Sequence, residues 1–231
     1  MMNITVSIPY YNRADLVMET IRPLLSVNQV DEILISDDCS NQPDFERLLH
    51  NTGNISKVRI VRNVENQHTL QNKHNCVSFA KNEWVLLIDS DNVAKADYFE
   101  NFFKIKGLKK NTIYHTAFAA PMFDYRQFND ETITKKNIKK FVNYPIFMTL
   151  LNTVNYFVNR DEFLKCYEYD SSIRAADGIY INYNWLKNEN KIYIVPDMQY
   201  YHRVHKGSEF LRERDNNMKL TYFWFDKIKN L

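Results

Sequence analysis

Short apolar runs, each bounded by polar or turn-forming residues, recur along the first part of the chain. Four of them predict strands, and Pro9 is expected to end the first: Ile4–Ile8, Val30–Ser36, Lys57–Val61 and Trp84–Ile88. Between these runs, apolar residues repeat at helical spacing and predict three helices: one capped by Asn12 and kinked or shortened by Pro23, one at Asp44–His50 and one at Thr69–Lys81. This alternation predicts an α/β fold with a parallel sheet covered by helices on both faces.

The second part of the chain is less regular. Its predicted strands are Thr112–Ala120, Asn152–Val158 and Lys191–Val195, and Asn129–Lys140 is predicted to be a loop or a surface helix. The end of the chain, Ser208–Leu231, predicts a helix with one apolar stripe: Leu211, Met218, Tyr222 and Phe225. Neither a repeat nor a linker interrupts the pattern, so we expect one domain over residues 1–231.

The charges of the chain nearly cancel. It has 231 residues, with 30 Lys and Arg against 28 Asp and Glu, and a formal net charge of +2. This balance does not favour a nucleic-acid partner. The sequence lacks an apolar run of the roughly 18 residues that cross a membrane, and it starts directly in a strand-like pattern, so neither a transmembrane segment nor a signal peptide is expected. Together with three scattered cysteines, this favours a cytoplasmic location, or the cytoplasmic face of a membrane.

Glycine is rare in this chain, and acids follow two of the predicted strands. With only 4 glycines, the sequence contains neither of the common glycine-rich phosphate-binding loops. Asp37-Asp38 and Asp89-Ser90-Asp91 each end an apolar run. A single Asp at such a position is most often a turn former. Two pairs at one edge of a sheet instead favour a site in which one pair binds a base or ribose and the other holds a divalent cation that neutralises a diphosphate.

Five segments in order resemble the motifs of the GT-A glycosyltransferases of family 2. They are the strand-1 loop, the nucleotide motif, the "D-x-D" metal motif, the catalytic segment and the C-terminal element: Ser7–Arg13, Ser36–Ser40, Leu87–Asn92, Ala175–Gly178 and Tyr201–Ser208. The resemblance implies a GT-A, Rossmann-like fold with a C-terminal helix. Residues 1–92 would form the nucleotide-binding half, 93–208 the acceptor-binding half and 209–231 the C-terminal helix.

The resemblance also implies a donor site for a nucleotide sugar, with UDP or dTDP as its nucleotide. Asp38 would hydrogen-bond the pyrimidine with Asp37 close to it, and Pro9, Tyr10 and Tyr11 would wrap the base and ribose. The remaining donor-site residues would be Lys73, near the diphosphate or base, Asp89 and Ser90 of the "D-x-D" segment, and Arg203 at the diphosphate. For Lys73, a solvated helix face is an equally good interpretation.

The same resemblance implies metal-dependent transfer with inversion of the anomeric carbon. Asp91 would bind Mn²⁺ or Mg²⁺ with His205, and His202 is a weaker candidate for that role. Asp89 would reach the ribose, or the metal through water. Asp177 would be the general base that removes a proton from a hydroxyl of a glycan or glycolipid acceptor. The motif of processive family members is absent from the sequence, which favours transfer of one sugar.

Two other functions remain open at this point. A sugar-nucleotide-binding protein without catalysis is one, because Ala176 stands where the family usually has Glu. A nucleotidyltransferase is the other, although it should have a glycine-rich basic loop after strand 1. The aromatic cluster Tyr222–Phe225, flanked by lysines, favours a helix packed on the domain, with peripheral membrane contact as the alternative for a lipid-linked acceptor.

Overall fold

The structure is a computed structural model that describes residues 2–205, 208 and 214–231. Within this part of the chain, eight strands form one sheet: β1 (Ile4–Tyr10), β2 (Val30–Asp37), β3 (Val58–Arg62), β4 (Trp84–Leu87), β5 (Thr112–His115), β8 (Thr132–Thr134), β9 (Tyr156–Asn159) and β10 (Lys191–Ile194). A smaller sheet has three: β6 (Phe118–Ala120), β7 (Phe123–Asp124) and β11 (Gln199–Tyr201). The strand order of the large sheet is β3-β2-β1-β4-β9-β5-β10-β8.

The large sheet is mostly parallel. β1 runs parallel to both β2 and β4, β2 runs parallel to β3, and β10 runs parallel to β5. β9 is antiparallel to its neighbours β4 and β5, and β8 is antiparallel to β10. The predicted α/β class and mostly parallel sheet are therefore confirmed. The central strands are as buried as predicted, because Leu34, Ile35, Val85 and Leu86 have no exposed surface, whereas β3 at the edge of the sheet has no fully buried residue.

Helices connect the strands and cover the sheet. They are α1 (Ala14–Leu24), α2 (Gln42–Thr52), α3 (His68–Ser78), α4 (Ala96–Phe103), α5 (Pro145–Leu151), α6 (Arg160–Cys166), α7 (Asp177–Lys187) and α8 (Arg214–Lys229). α3 packs on β1 and on β2 and β4, the two strands whose ends carry the paired acids. α7 packs against α5, α6, β10 and α8, so the C-terminal helix leans on the helix that begins at Asp177.

The first strand and the first helix differ from the prediction. β1 continues through Pro9 to Tyr10. Ser7 accepts a hydrogen bond from the Ile88 N–H, and Pro9, two residues on, points to the same side, where β4 has already ended. The missing N–H of Pro9 therefore costs no ladder bond. Asn12 does not cap α1. The helix starts at Ala14 after Arg13, without a side-chain cap, while Asn12 (φ 52°) accepts from the Asn41 N–H.

Two predictions in the second part of the chain were wrong in detail. The single strand predicted at Thr112–Ala120 is two strands, β5 and β6, which belong to different sheets. The loop or helix predicted at Asn129–Lys140 contains β8, whose Ile133 is buried beside Ile192 of β10. A strand of three residues has too few alternating positions to be recognised from hydrophobicity.

The C-terminal helix buries a different stripe from the predicted one. Leu211 lies outside the described residues. Of the other three predicted positions, Met218 is half-buried, Tyr222 is exposed and Phe225 is buried. The buried positions are Asn217, Thr221, Phe225 and Ile228. Trp224 packs its ring on Tyr180 and Tyr183 of α7, with centroids 4.7 and 5.1 Å away. These contacts agree with a helix packed on the domain.

Candidate active site

The paired acids lie at one edge of the sheet, as predicted. β2 and β4 flank β1 and run parallel to it, so the carboxyl ends of the three strands lie at the same edge of the sheet, the rim. The rim acids are Asp37, Asp38, Asp89 and Asp91. Asp37 is the last residue of β2, and the Asp38 N–H donates to the Tyr10 carbonyl at 2.9 Å. On the other side of β1, the Ile88 N–H donates to the Ser7 carbonyl at 3.0 Å, which places Asp89 beside the strand-1 loop.

Asp37 is turned inward at this rim. Its side chain has no exposed surface, Oδ1 accepts from the Ser40 N–H at 3.1 Å, and Oδ2 lies 3.2 Å from Nε of Arg62. Burial raises the pKa of the Asp37 carboxyl, while Ser40 and Arg62 act in the opposite direction. These contacts give Asp37 the task of shaping the loop that presents Asp38.

Asp38 is held by the loop that follows β3. Its Oδ1 accepts from the Gln67 N–H at 2.8 Å and from the Asn63 side-chain amide at 2.9 Å. Asn72 of α3 extends the network, because its Oδ1 accepts from both Asn63 and Ser36. Burial raises the pKa of the Asp38 carboxyl, and these donors partly oppose the rise. The amides Asn63, Gln67 and Asn72 lie outside the five motif segments of the sequence.

The strand-1 loop contributes unequally to the rim. The Tyr10 side chain is buried, and its hydroxyl donates to the Asp44 carboxylate in a short hydrogen bond. Pro9 is half-buried and Tyr11 is 40% exposed. Pro9 and Tyr11 therefore have exposed side-chain surface against which a nucleoside would pack. Tyr10 would contribute only its backbone.

Asp89 is fixed by Asn155, the residue just before β9. Asn155 Oδ1 accepts from the Asp89 N–H at 2.9 Å, and its Nδ2 donates to Asp89 Oδ2 at 3.1 Å. Burial would raise the pKa of the Asp89 carboxyl, but Lys73, Asn155 and Arg13 hold it below its usual value. Ser90 is buried, and its carbonyl accepts from Thr20 of α1 at 3.1 Å. Asn155 is a further site residue without a sequence signal.

Asp91 brings a carboxylate together with an imidazole and a guanidinium. Its Oδ2 lies 3.0 Å from Nε2 of His205 and 2.5 Å from Nη1 of Arg13. His202 lies close enough to Asp89 and Asp91 for both carboxylates to raise its pKa, although burial lowers it overall. The predicted metal residues therefore meet, although the described residues contain no group of three His, Cys, Asp or Glu side chains arranged around one point.

The chemistry of this pair fits the predicted cation. Mn²⁺ and Mg²⁺ take carboxylate oxygens readily, and imidazole is acceptable to Mn²⁺. Asp91 Oδ2 and His205 Nε2 are 3.0 Å apart, at hydrogen-bond distance, so the two side chains are close enough to hold one ion together.

Lys73 joins the rim to the predicted general base. Its Nζ lies 2.6 Å from Asp177 Oδ2 and 3.4 Å from Asp89 Oδ1, and the residue is 6% exposed. Burial by itself would lower the pKa of Lys73, but the two carboxylates raise it far above its usual value, so the ammonium group stays charged. Lys73 is thus an internal ion-pair partner, and the interpretation as a solvated helix face was wrong.

Arg203 is engaged away from the paired acids. Its guanidinium forms a bidentate ion pair with Glu19 of α1. The backbone N–H of Arg203 donates to Asn92 Oδ1 at 3.1 Å. The backbone of Arg203 therefore lies beside the "D-x-D" segment while its side chain binds α1. A contact between this guanidinium and a diphosphate stays a prediction.

None of the helices in the described ranges is long and apolar enough to cross a bilayer.

Solved structures with the same fold bind nucleotide sugars. TarS from S. aureus, solved with UDP-GlcNAc, is 15% identical with a TM-score of 0.69, over 99% of this chain and 70% of that one. The mannosyltransferase PcManGT from Pyrobaculum calidifontis, solved with GDP-Man and Mn²⁺, is 12% identical with a TM-score of 0.67, over 96% and 63%. At these identities the likeness shows the fold, which is GT-A as expected.

Sequence comparison supplies the family. "Uncharacterized protein y4gI" of Sinorhizobium fredii (strain NBRC 101917 / NGR234) is 29% identical over 97 residues, 41% of this chain. The chain spans 11% of that relative's length and 39% of the length of another TarS structure. The family model described as "Glycosyl transferase family 2" matches residues 5–142, which include all but the first residue of β1, all of β2 and β4, and the acids that follow β2 and β4. The chain therefore belongs to glycosyltransferase family 2.

Proposed function

We propose that this chain is a metal-dependent, inverting glycosyltransferase that moves one sugar from a UDP- or dTDP-sugar to a hydroxyl of a glycan or glycolipid. The observation that carries the proposal is the placement of Lys73, whose Nζ lies within 3.4 Å of both Asp177 and Asp89. The Asp177 carboxylate, far from the rim acids in the sequence, is thereby held next to Asp89, which would bind the donor. A base beside a donor site is what a single displacement at an anomeric carbon requires.

The contacts of Asp38 support uracil or thymine as the nucleobase of the donor. The hydrogen bonds from Gln67 and Asn63 both end on its Oδ1. Neither of these two hydrogen bonds uses Oδ2, so Oδ2 is the oxygen that we assign to the nucleobase. Uracil and thymine present a single ring N–H between two carbonyls, which one carboxylate oxygen can accept, and Tyr11 and Pro9 lie beside it to cover the ring.

Asp177 would perform the proton transfer. Its carboxylate accepts the proton of the acceptor hydroxyl while that oxygen attacks the anomeric carbon. The bond from this carbon to the diphosphate oxygen breaks, and the leaving nucleotide takes the electron pair. Asp91 and His205 would hold the cation, with His202 as the weaker candidate. When bound, the cation supplies positive charge that stabilises the departing diphosphate.

The test is release of UDP from a panel of UDP- and dTDP-sugars by the purified chain, with and without Mn²⁺. Asp177→Asn should lower turnover by at least about 10²-fold, the contribution expected of a general base. Its UDP affinity should change little, because the role proposed for Asp177 is towards the acceptor hydroxyl and not towards the nucleotide. Asp215→Asn, at an exposed acid of α8, is the matched control and should behave as the wild type. Turnover by Asp177→Asn at the wild-type rate would remove Asp177 from the mechanism.

A sugar-nucleotide-binding protein without catalysis is the second candidate. The observation that favours it is Ala176, where members of the family usually carry an acid next to the base. The same panel separates the two functions. A wild-type chain that binds UDP in the presence of Mn²⁺ but releases none from any donor, with or without glycan acceptors, supports the binding protein.

A further inference from the structure

The first residue of α7 is Asp177, and the residue before it has an unusual backbone. Ala176 has φ 54° and ψ 33°, the left-handed region that residues with a Cβ rarely adopt. Such a conformation persists only where surrounding contacts hold it. The direction in which the Asp177 side chain leaves the helix therefore depends on what holds Ala176.

Asn217 of the C-terminal helix makes the contact that holds Ala176. Its side chain is 5% exposed, and its Oδ1 accepts from the Ala176 N–H at 2.8 Å. The two residues are 41 positions apart, so this hydrogen bond ties the start of α7 to a separate helix. Without this acceptor the Ala176 N–H would be buried and unpaired, which costs free energy. The hydrogen bond therefore stabilises the backbone conformation in which the N–H faces Asn217.

Asn152, at the end of α5, holds α7 from a second direction. Its Oδ1 accepts from the Ile179 N–H at 3.2 Å, one of the N–H groups that the first turn leaves without a helical partner. Gly178 lies directly against the Asn152 backbone, where an added Cβ would be 2.4 Å from the carbonyl oxygen. The Asn152 amide also reaches Thr221 Oγ1 of α8 at 3.5 Å. Contacts from both α5 and α8 thus fix the position of the start of α7.

We propose that Asn217 is a positioning residue for Asp177, and that the C-terminal helix is therefore part of the catalytic apparatus of this chain. This inference rests on the proposed function. Asn217 does not contact the rim acids. It acts through the backbone of Ala176, which sets where the Asp177 carboxylate meets Lys73 and the acceptor hydroxyl. Displacement of a catalytic group by about 1 Å lowers turnover by about 10²-fold.

The effect should fall on kcat and spare donor binding. Asn217→Leu keeps the approximate size of the side chain and removes the acceptor, so kcat for UDP-sugar turnover should fall about 10²-fold. The donor KM and the Kd for UDP should stay within about twofold, because the nucleotide half of the rim is untouched. Asn217→Asp keeps an acceptor oxygen at the same place, and its kcat should lie at least about tenfold above that of Asn217→Leu. Asn216→Leu, at an exposed neighbour on the same helix, should match the wild type.

The measurements are kcat and KM on the best donor of the panel, Kd for UDP by calorimetry and the melting temperature of each variant. Because a buried Leu can unfold the helix, Asn217→Asp provides the second comparison. The inference is overturned if Asn217→Leu turns over at the wild-type rate, if its loss of kcat is matched by an equal loss of UDP affinity, or if Asn217→Asp is no better than Asn217→Leu. An inactive wild type overturns the proposed function and this inference with it, whereas the three outcomes above leave the proposed function standing.

Discussion

Lys73 Nζ lies 2.6 Å from Asp177 Oδ2, although the two residues are 104 positions apart in the chain. The same ammonium lies 3.4 Å from Asp89 Oδ1. One buried cation therefore separates two carboxylates that have different proposed tasks, one in donor binding and one in proton transfer. Removal of this cation should affect both stability and activity.

Lys73→Met should destabilise the protein. The substitution leaves Asp89 and Asp177 as neighbouring carboxylates without their cation, and loss of one partner of a buried ion pair costs about 3–5 kcal/mol. Because Asp89 is partly exposed, we expect the lower end, about 3 kcal/mol, which is a decrease in Tm of roughly 6–12 °C for a chain of this size. Thermal unfolding followed by circular dichroism measures the change.

The control for this substitution is Lys81→Met, since Lys81 is half exposed in its ion pair with Asp31 and should change Tm little. The double variant Lys73→Met with Asp177→Asn should recover part of the lost stability, because it removes one of the two repelling charges. Equal melting temperatures for the single and double variants would contradict the ion-pair explanation.

Asp38→Asn should weaken UDP binding while it stabilises the protein. Burial raises the pKa of Asp38 above its unfolded value of 3.8, so the folded state holds a proton more tightly than the unfolded state. The resulting stabilisation is complete at acidic pH and is lost as the pH rises through the raised value, which leaves a buried charge at pH 7. The amide removes this charge, and Tm at pH 7 should increase.

The same variant should change the preferred base. In place of a carboxylate oxygen, the side-chain amide introduced by Asp38→Asn would present an N–H to the ring nitrogen, which repels the N3–H of uracil and suits the N3 acceptor of cytosine. UDP affinity should fall by about 10- to 100-fold, the value of a hydrogen bond to a charged group. Calorimetry with UDP and CDP measures the change, and Asp15→Asn, at an exposed acid of α1, is the control. Undiminished UDP affinity would exclude Asp38 from base recognition.

His205→Ala should weaken the response to Mn²⁺. If Asp91 Oδ2 and His205 Nε2 bind one ion, loss of the imidazole should lower the apparent Mn²⁺ affinity by at least about tenfold, while UDP binding without metal stays as it was. Titration of UDP binding with Mn²⁺ after removal of metal by EDTA measures this. His50→Ala, at an exposed histidine of α2, is the control. An unchanged Mn²⁺ titration would assign the second ligand to another residue, with His202 the first to examine.

Gly178→Ala should be more damaging than a typical surface substitution. The new Cβ would stand 2.4 Å from the backbone oxygen of Asn152, which cannot rotate away. Overpacking of this kind costs about 1–3 kcal/mol, and the start of α7 should shift, so kcat should fall as well. Gly107→Ala has open space around the new methyl group but a φ of 68°, and should cost about 1 kcal/mol without loss of kcat. Wild-type kcat in Gly178→Ala would show that α7 tolerates the shift.

Periodicity and local motifs predicted the strands and helices of residues 1–92, although β1 extends past Pro9 and Asn12 does not cap α1. β1, β2 and β4 are buried on both faces, so their sequences contain runs of apolar residues, and these runs made them recognisable from sequence alone. Parallel strands end at one edge of a sheet, so the acids after β2 and β4 were expected at the same edge, and both pairs lie there, on either side of β1. β8 and the division of β5 from β6 were missed, because very short strands are stabilised by neighbours that are distant in the sequence.

The amino-acid sequence by itself determined the fold class, the family and the acids of the rim, because hydrophobic period and strand-end chemistry are local properties. Only the tertiary structure decided how those acids are held. Asn155 on Asp89, Lys73 on Asp177 and Asn217 on Ala176 are contacts between segments far apart in the chain. A buried amide or ammonium finds its partner through packing of whole helices and strands, and a single sequence carries no local pattern that announces it.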